Sequence, residues 1–184
     1  MDGVLARELD LVVQRRRLPE PVCAEVAKLA DEEQLRLVLL GTPEQIANEL
    51  RQVLDDCPAF VADVRALLDR FASMADTPVA RVRIERITGD ACRRWHADNV
   101  VQRLLCTYVG PGTQILRLPE AAQVLAGGEP ETTATAWSVG TGDVVVLPGR
   151  LHPTAMPIVH RSPPVAGTSD VRLLLVIDDG SPTA

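Results

Sequence analysis

Residues 91–108, ACRRWHADNVVQRLLCTY, gather side chains that can hold metals or move protons: Cys92, His96, Asp98, Cys106 and the only tyrosine, Tyr108. On an extended backbone, residues i and i+2 face the same side. His96 and Asp98 can therefore offer an imidazole and a carboxylate to one metal ion. Such a pair also arises by chance, and Asp98 can instead cap the turn before the next strand. Two further histidines, His152 and His160, lie downstream, and Arg172 opens the apolar run RLLLVID. His160 is the preferred third ligand, because its separation from Arg172 suits a strand–turn–strand connection. His152, in PGRLHP, sits in a turn or lines the cavity mouth. Two histidines and one carboxylate on one face of an octahedral Fe(II) leave three positions open for co-substrate and oxygen. Arg172 then has two readings. It clamps the far carboxylate of a keto acid in a bidentate fork, or it forms an edge salt bridge.

A second reading competes. Cys92, His96, Asp98 and His160 together would make a closed four-ligand zinc site, although buried structural thiols remain the default for Cys92 and Cys106. Thr107 and Tyr108 point to opposite faces of one strand, with Arg103 on the Thr107 face. Either one, with Arg103, can hydrogen-bond a bound acid, and the sequence does not choose between them. There is no Gly-rich phosphate loop, no Gly-x-Ser-x-Gly elbow and no zinc-protease helix motif.

The 184 residues suffice for one core, and 46% apolar with 24% charged residues is ordinary for a globular chain. A net charge of −6 argues against a broad nucleic-acid-binding face. The one basic run, Arg15-Arg16-Arg17, reads as a solvated strand end. No signal peptide precedes the first strand, and the apolar runs are far shorter than a membrane span. We therefore expect a cytoplasmic protein with reduced cysteines and neither a membrane nor a nucleic-acid partner.

The elements that position these residues fall into two parts. In residues 1–76, Leu9–Gln14 and Leu35–Leu40 read as strands and Glu20 to Asp31 as a helix. Thr42-Pro43-Glu44-Gln45 is a capping-box helix start. A further helix from Pro58 carries the apolar stripe Phe60, Val61, Val64, Leu67, Leu68 and Phe71. In residues 77–180, strands are expected at Val79–Ile87, Val100–Val109, Thr113–Leu116, Met156–His160 and Val171–Asp178. A short helix is expected at Pro119–Ala126. Ala134–Val139 and Asp143–Leu147 flank Gly140-Thr141-Gly142 as a hairpin. The expectation is an α+β fold: a C-terminal jelly-roll packed by N-terminal helices, its sheet extended by the two early strands. Residues 1–180 form one domain, and residues 181–184 a disordered tail.

The order strand, His-x-Asp, strands, His, loop, Arg resembles the 2-oxoglutarate/Fe(II) oxygenase superfamily over about residues 79–178. That resemblance implies a double-stranded β-helix, with Fe(II) at His96, Asp98 and His160 and 2-oxoglutarate at Arg172, acting on a small-molecule or protein substrate. RITGDACRRWHADNVVQRLLCTYVGPGT and VHRSPP…RLLLVID also resemble a family of uncharacterised bacterial proteins, a domain of unknown function. Its members are often encoded beside CobW-type GTPase metallochaperones. This implies a link to zinc or other metal homeostasis, and hence the alternative of a non-catalytic, cupin-like metal-binding protein. A degenerate jelly-roll used for protein contacts needs only the fold.

Overall fold

A computed structural model describes residues 11–89, 92–131 and 136–180. Leu9, Asp10, Ala134, Thr135 and the expected tail at 181–184 lie outside the described residues.

The helices form where their start signals stand. Helix α1, Glu20–Asp31, opens on Pro19 and Pro21, which cannot donate in the first turn anyway. Helix α2, Pro43–Val53, carries the full reciprocal box. Thr42 Oγ1 accepts from Gln45 N, and Gln45 Oε1 accepts from Thr42 N. Helix α3, Pro58–Ala75, buries its whole expected stripe from Phe60 to Phe71. It ends at Asp76 in a left-handed conformation.

The strands are β1 (Val12–Gln14), β2 (Arg36–Gly41), β3 (Ala80–Ile87), β4 (Gln102–Val109), β5 (Gln114–Ile115), β6 (Trp137–Ser138), β7 (Val144–Pro148), β8 (His160–Arg161) and β9 (Arg172–Asp179). A short helix α4, Glu120–Leu125, follows β5. Six strands pair antiparallel in the order β1-β7-β4-β9-β3-β2, and three in the order β6-β5-β8. The two early strands close the two edges of the large sheet, as their sequences suggested.

Strand parity divides the chain into three layers. Val82, Ile84, Leu104, Cys106, Tyr108, Leu173, Leu175 and Ile177 pack against the helices. Their neighbours Ile87, Leu105, Leu174 and Val176 face the other way and join Ile115, Val139 and Ile158. Strand β9 is thus apolar on both faces, which explains the unbroken run LLLVI. Polar residues on its second face, Arg172 and Asp178, are buried between the layers.

Two expectations are corrected. Gly140-Thr141-Gly142 does not close a hairpin, because β6 pairs with β5 and β7 pairs with β1 and β4. The turn carries the chain from one sheet to the other. Its polar groups are satisfied elsewhere: Gly142 N donates to Thr107 O, and Thr141 Oγ1 donates to Gly110 O. The Arg15–Arg17 run is not simply solvated either. Arg16 donates through Nε to Gly142 O and grips Asp63 through both terminal nitrogens at 2.6 and 2.9 Å. Asp63 also accepts from Tyr108 Oη. Among the described residues, no helix is long and apolar enough to cross a membrane.

Cys57 and Cys106 are buried, whereas Cys23 and Cys92 are exposed. Burial pushes the Cys106 thiol up to about 11. Alkylation of native protein at pH 8, read by mass spectrometry, will modify Cys23 and Cys92 and spare the other two. The raised folded value gives the sign of the pH dependence. The contribution of Cys106 to stability is full below about pH 9 and is lost as pH rises towards 11. Denaturant midpoints across that range will read the loss.

Candidate metal centre

The site forms where the loop before β4 meets β8. His96 and His160 are partners in an isolated antiparallel bridge: each backbone N donates to the other's carbonyl, at 3.0 and 2.8 Å. Their side chains leave the same face, and the rings lie 4.7 Å apart. Asp98 reaches that face from two residues further on. His96, Asp98 and His160 each offer one ligand atom, and these atoms lie within 4.8 Å of one another.

The backbone sets the tautomers. Nδ1 of His96 lies 2.9 Å from Arg94 O, and Nδ1 of His160 lies 3.1 Å from Ile158 O. A carbonyl only accepts, so each Nδ1 carries a proton and each Nε2 is left to face Asp98, as a hydrogen-bond donor when protonated and as a metal ligand when not. Nε2 of His160 stands 3.1 Å from Asp98 Oδ2, and Nε2 of His96 stands 3.5 Å from Oδ1. Asp98 Oδ2 is buried, with His160 Nε2 as its polar neighbour. The carboxylate and the two Nε2 atoms can be joined by protons on the imidazoles or by one shared metal ion. The donor set of two imidazoles and one carboxylate therefore fits a divalent transition metal.

Asp98 is held from behind. Arg103 Nη1 meets its Oδ1 at 2.7 Å, while Arg103 Nε and Nη2 bind Asp178 at 2.5 and 2.8 Å. Arg103 and Asp178 are register partners on β4 and β9. Arg103 was a candidate for binding a co-substrate; its donors are engaged by these two carboxylates instead. Burial opposes the Asp98 charge. Hydrogen bonds to His160 and His96 and the Arg103 guanidinium outweigh it and hold the carboxyl well below its usual range. The bond to Asp98 raises the His96 pKa above its ordinary value against the cost of burial.

Gly149 secures the Asp98 loop. Its N donates to Val101 O, Arg150 N to Asp98 O and Leu151 N to Val100 O. A Cβ on Gly149 would stand 2.2 Å from Val100 O and 2.9 Å from Asp98 O. Only glycine permits that approach.

The other candidate residues fall in different places. Arg172 is 0% exposed and lies on the site side of β9. Nε donates to Pro111 O and Nη1 to Ser162 Oγ, while Nη2 lies 3.4 Å from Thr107 Oγ1 and Thr113 Oγ1. Among the described residues it has no carboxylate partner, and burial lowers its pKa to about 10. The edge salt bridge considered for it is therefore absent from the described residues. Tyr108 is on the opposite side of the sheet. It stacks edge-on against Phe60 and donates to Asp63, so of the pair Thr107 and Tyr108 it is Thr107 that joins Arg172. His152 lines a separate groove with Val12, Met74 and Gln102, where Nδ1 accepts from Thr154 N and Ala155 N. Cys92 lines the same cavity as His96 and His160 but is not one of the three grouped donors. That cavity, about 40 Å³, also exposes Arg103, Arg161 and Ser162. Ser162 and Thr113 were missed in the sequence, where hydroxyls near a buried arginine leave no distinctive pattern.

Two outcomes test the centre. Gly149→Ala will weaken Co(II) binding, measured calorimetrically, by about 10–100-fold, the usual effect of disturbing a ligand's support. Metal uptake by the wild type will weaken as pH falls through the raised His96 pKa, because protons then compete for the same lone pairs.

Comparison with known proteins places this geometry in context. A family model described as "Protein of unknown function (DUF1826)" matches residues 1–178. No curated protein matches the sequence. Among solved structures, the chain is similar to a bsmA homolog from Methylobium petroleophilum, with a TM-score of 0.48 and 11% identity over 86% of this chain and 80% of that one. It is similar to a prolyl-4-hydroxylase from Pseudomonas putida, with a TM-score of 0.46 and 11% identity over 97% of each chain. It is also similar to a full-length Neurospora crassa protein in complex with alpha-KG, with a TM-score of 0.45 and 14% identity over 92% of this chain and 73% of that one.

Proposed function

The chain belongs to the DUF1826 family, and we propose that it is a metal-dependent oxygenase of the Fe(II)/2-oxoglutarate type. We read its facing sheets as a double-stranded β-helix. The observation that carries the proposal is a pairing: the three-ligand cluster shares a cavity with Ser162 and Thr113, behind which lies a fully buried arginine, Arg172, whose hydrogen-bond partners are all neutral. A cation is costly to bury, and neutral oxygens only partly offset that cost. The arrangement makes sense as a receptor for a carboxylate that arrives with a ligand.

In this reading His96 and His160 hold Fe(II) through Nε2, and Asp98 holds it through its carboxylate. Arg172, with Ser162, Thr107 and Thr113, takes the far carboxylate of the keto acid. Fe(II) with a keto acid bound supplies the reductive activation of dioxygen. Arg103 orients Asp98 and remains bound to Asp178, so the carboxylate is presented in one orientation. The apolar wall of Leu105, Leu174 and Val176 keeps water away from the reacting atoms. The cavity has room for about one water, so Cys92, the exposed member of its lining, moves aside when the keto acid enters.

Anaerobic titration of the Fe(II) protein with 2-oxoglutarate tests the reading. Stoichiometric binding and succinate formation under air are expected. Arg172→Gln will weaken keto-acid binding on the order of a hundredfold, since it unpairs a buried charge. Ser162→Ala gives a smaller loss in a fold that tolerates it. No 2-oxoglutarate binding by the wild type overturns the proposal.

A further inference from the structure

The cavity beside the cluster exposes three arginines and no carboxylate. Two of the three have anionic partners: Arg103 has Asp98 and Asp178, and Arg83 has Glu85 at 3.4 Å. Arg161 has none among the described residues. Its Nε donates to Gln114 Oε1 at 2.8 Å, and its guanidinium lies over the Trp95 ring, 4.3 Å from the centroid. Both terminal nitrogens are left without a hydrogen-bond partner among the described residues.

The platform is tied to the metal ligands. Trp95 precedes His96, Arg161 follows His160, and the two histidines are bridge partners. Gln114 and Arg161 are register partners on β5 and β8. The guanidinium is therefore held over the indole by a cation–π contact and restrained in rotation by Gln114. A fork held in this way loses little freedom when it binds a planar or tetrahedral oxyanion. In a chain of net charge −6, an arginine held without an anion beside a cavity is poised for one that comes from outside.

We propose that Arg161, held over Trp95, is the receptor for an oxyanion, a carboxylate or phosphate group, on the substrate that enters this cavity. The site is distinct from Arg172, which is fully buried and reaches this cavity only through Ser162 and Thr113. That the bound molecule is the one to be oxidised rests on the oxygenase reading; the anion site itself does not.

Inorganic phosphate and acetate, titrated separately into the full-length protein, test the proposal. Calorimetry reads the affinity, and quenching of tryptophan fluorescence in Trp137→Phe, which leaves Trp95 as the sole tryptophan, reports the place. At least one anion is expected to bind with a stoichiometry of one, and Arg161→Gln should weaken it by about tenfold or more. Arg161→Lys, with the charge but not the fork, should fall between. A phosphate preference identifies a phosphorylated substrate, and an acetate preference a carboxylic acid. Equal affinity in wild type and Arg161→Gln, or no binding of either anion, overturns the proposal. Binding of 2-oxoglutarate to Fe(II)-loaded Arg161→Gln should be unchanged. If the wild type binds phosphate or acetate through Arg161 but never binds 2-oxoglutarate, the oxygenase reading fails and the anion site stands.

Discussion

One buried guanidinium joins the site to the fold. Arg103 binds Asp178 across the β4–β9 pair at the centre of the large sheet and extends its remaining nitrogen to Asp98 on the loop. Asp98, the candidate ligand on the loop, is thus fixed to a rigid part of the molecule. Two carboxylates around one arginine leave a net negative charge, which the two histidines share. A cation at the cluster completes the balance. Remove Arg103, and both acids are left buried without their strongest partner, a costly state for any protein.

The three-layer arrangement follows from strand parity. Each central strand sends one set of side chains to the helices and the other to the small sheet. The helical side is filled with apolar residues and closed by the Arg16–Asp63–Tyr108 network. The other side carries the chemistry, in Arg83, Arg103, Thr107, Arg172 and Asp178. Chemistry is confined to one face because the other face must bury the helices.

Much of this was legible in the chain. The capping box at Thr42, the stripe on α3 and the β9 run are local signals, and the structure contains them. His96 and Asp98 were a chance-level pair by parity alone, and His160 joined them through connection length and the order of motifs that resembles the 2-oxoglutarate/Fe(II) oxygenases. Parity also showed that Thr107 and Tyr108 face apart, but which face the helices cover depends on long-range packing. Tyr108 therefore lies away from the cavity. The turn at Gly140 looked like a hairpin because turn chemistry is local, whereas the choice of sheet is not. Arg161 and Trp95 escaped notice because their contact exists only once the His96–His160 bridge forms. In hindsight the signal was the mirrored pair Trp-His and His-Arg, in which each ligand carries a neighbour for the other's neighbour.

That same bridge has a mechanical meaning. Two reciprocal backbone hydrogen bonds lock His96 and His160 into one unit, so the imidazoles act as a single two-pronged arm of fixed bite. Asp98 is held as firmly, by Arg103 on the sheet and by Arg150 N on the strap from Gly149 to Leu151, so an ion at the three donors would be selected by its fit to a set spacing.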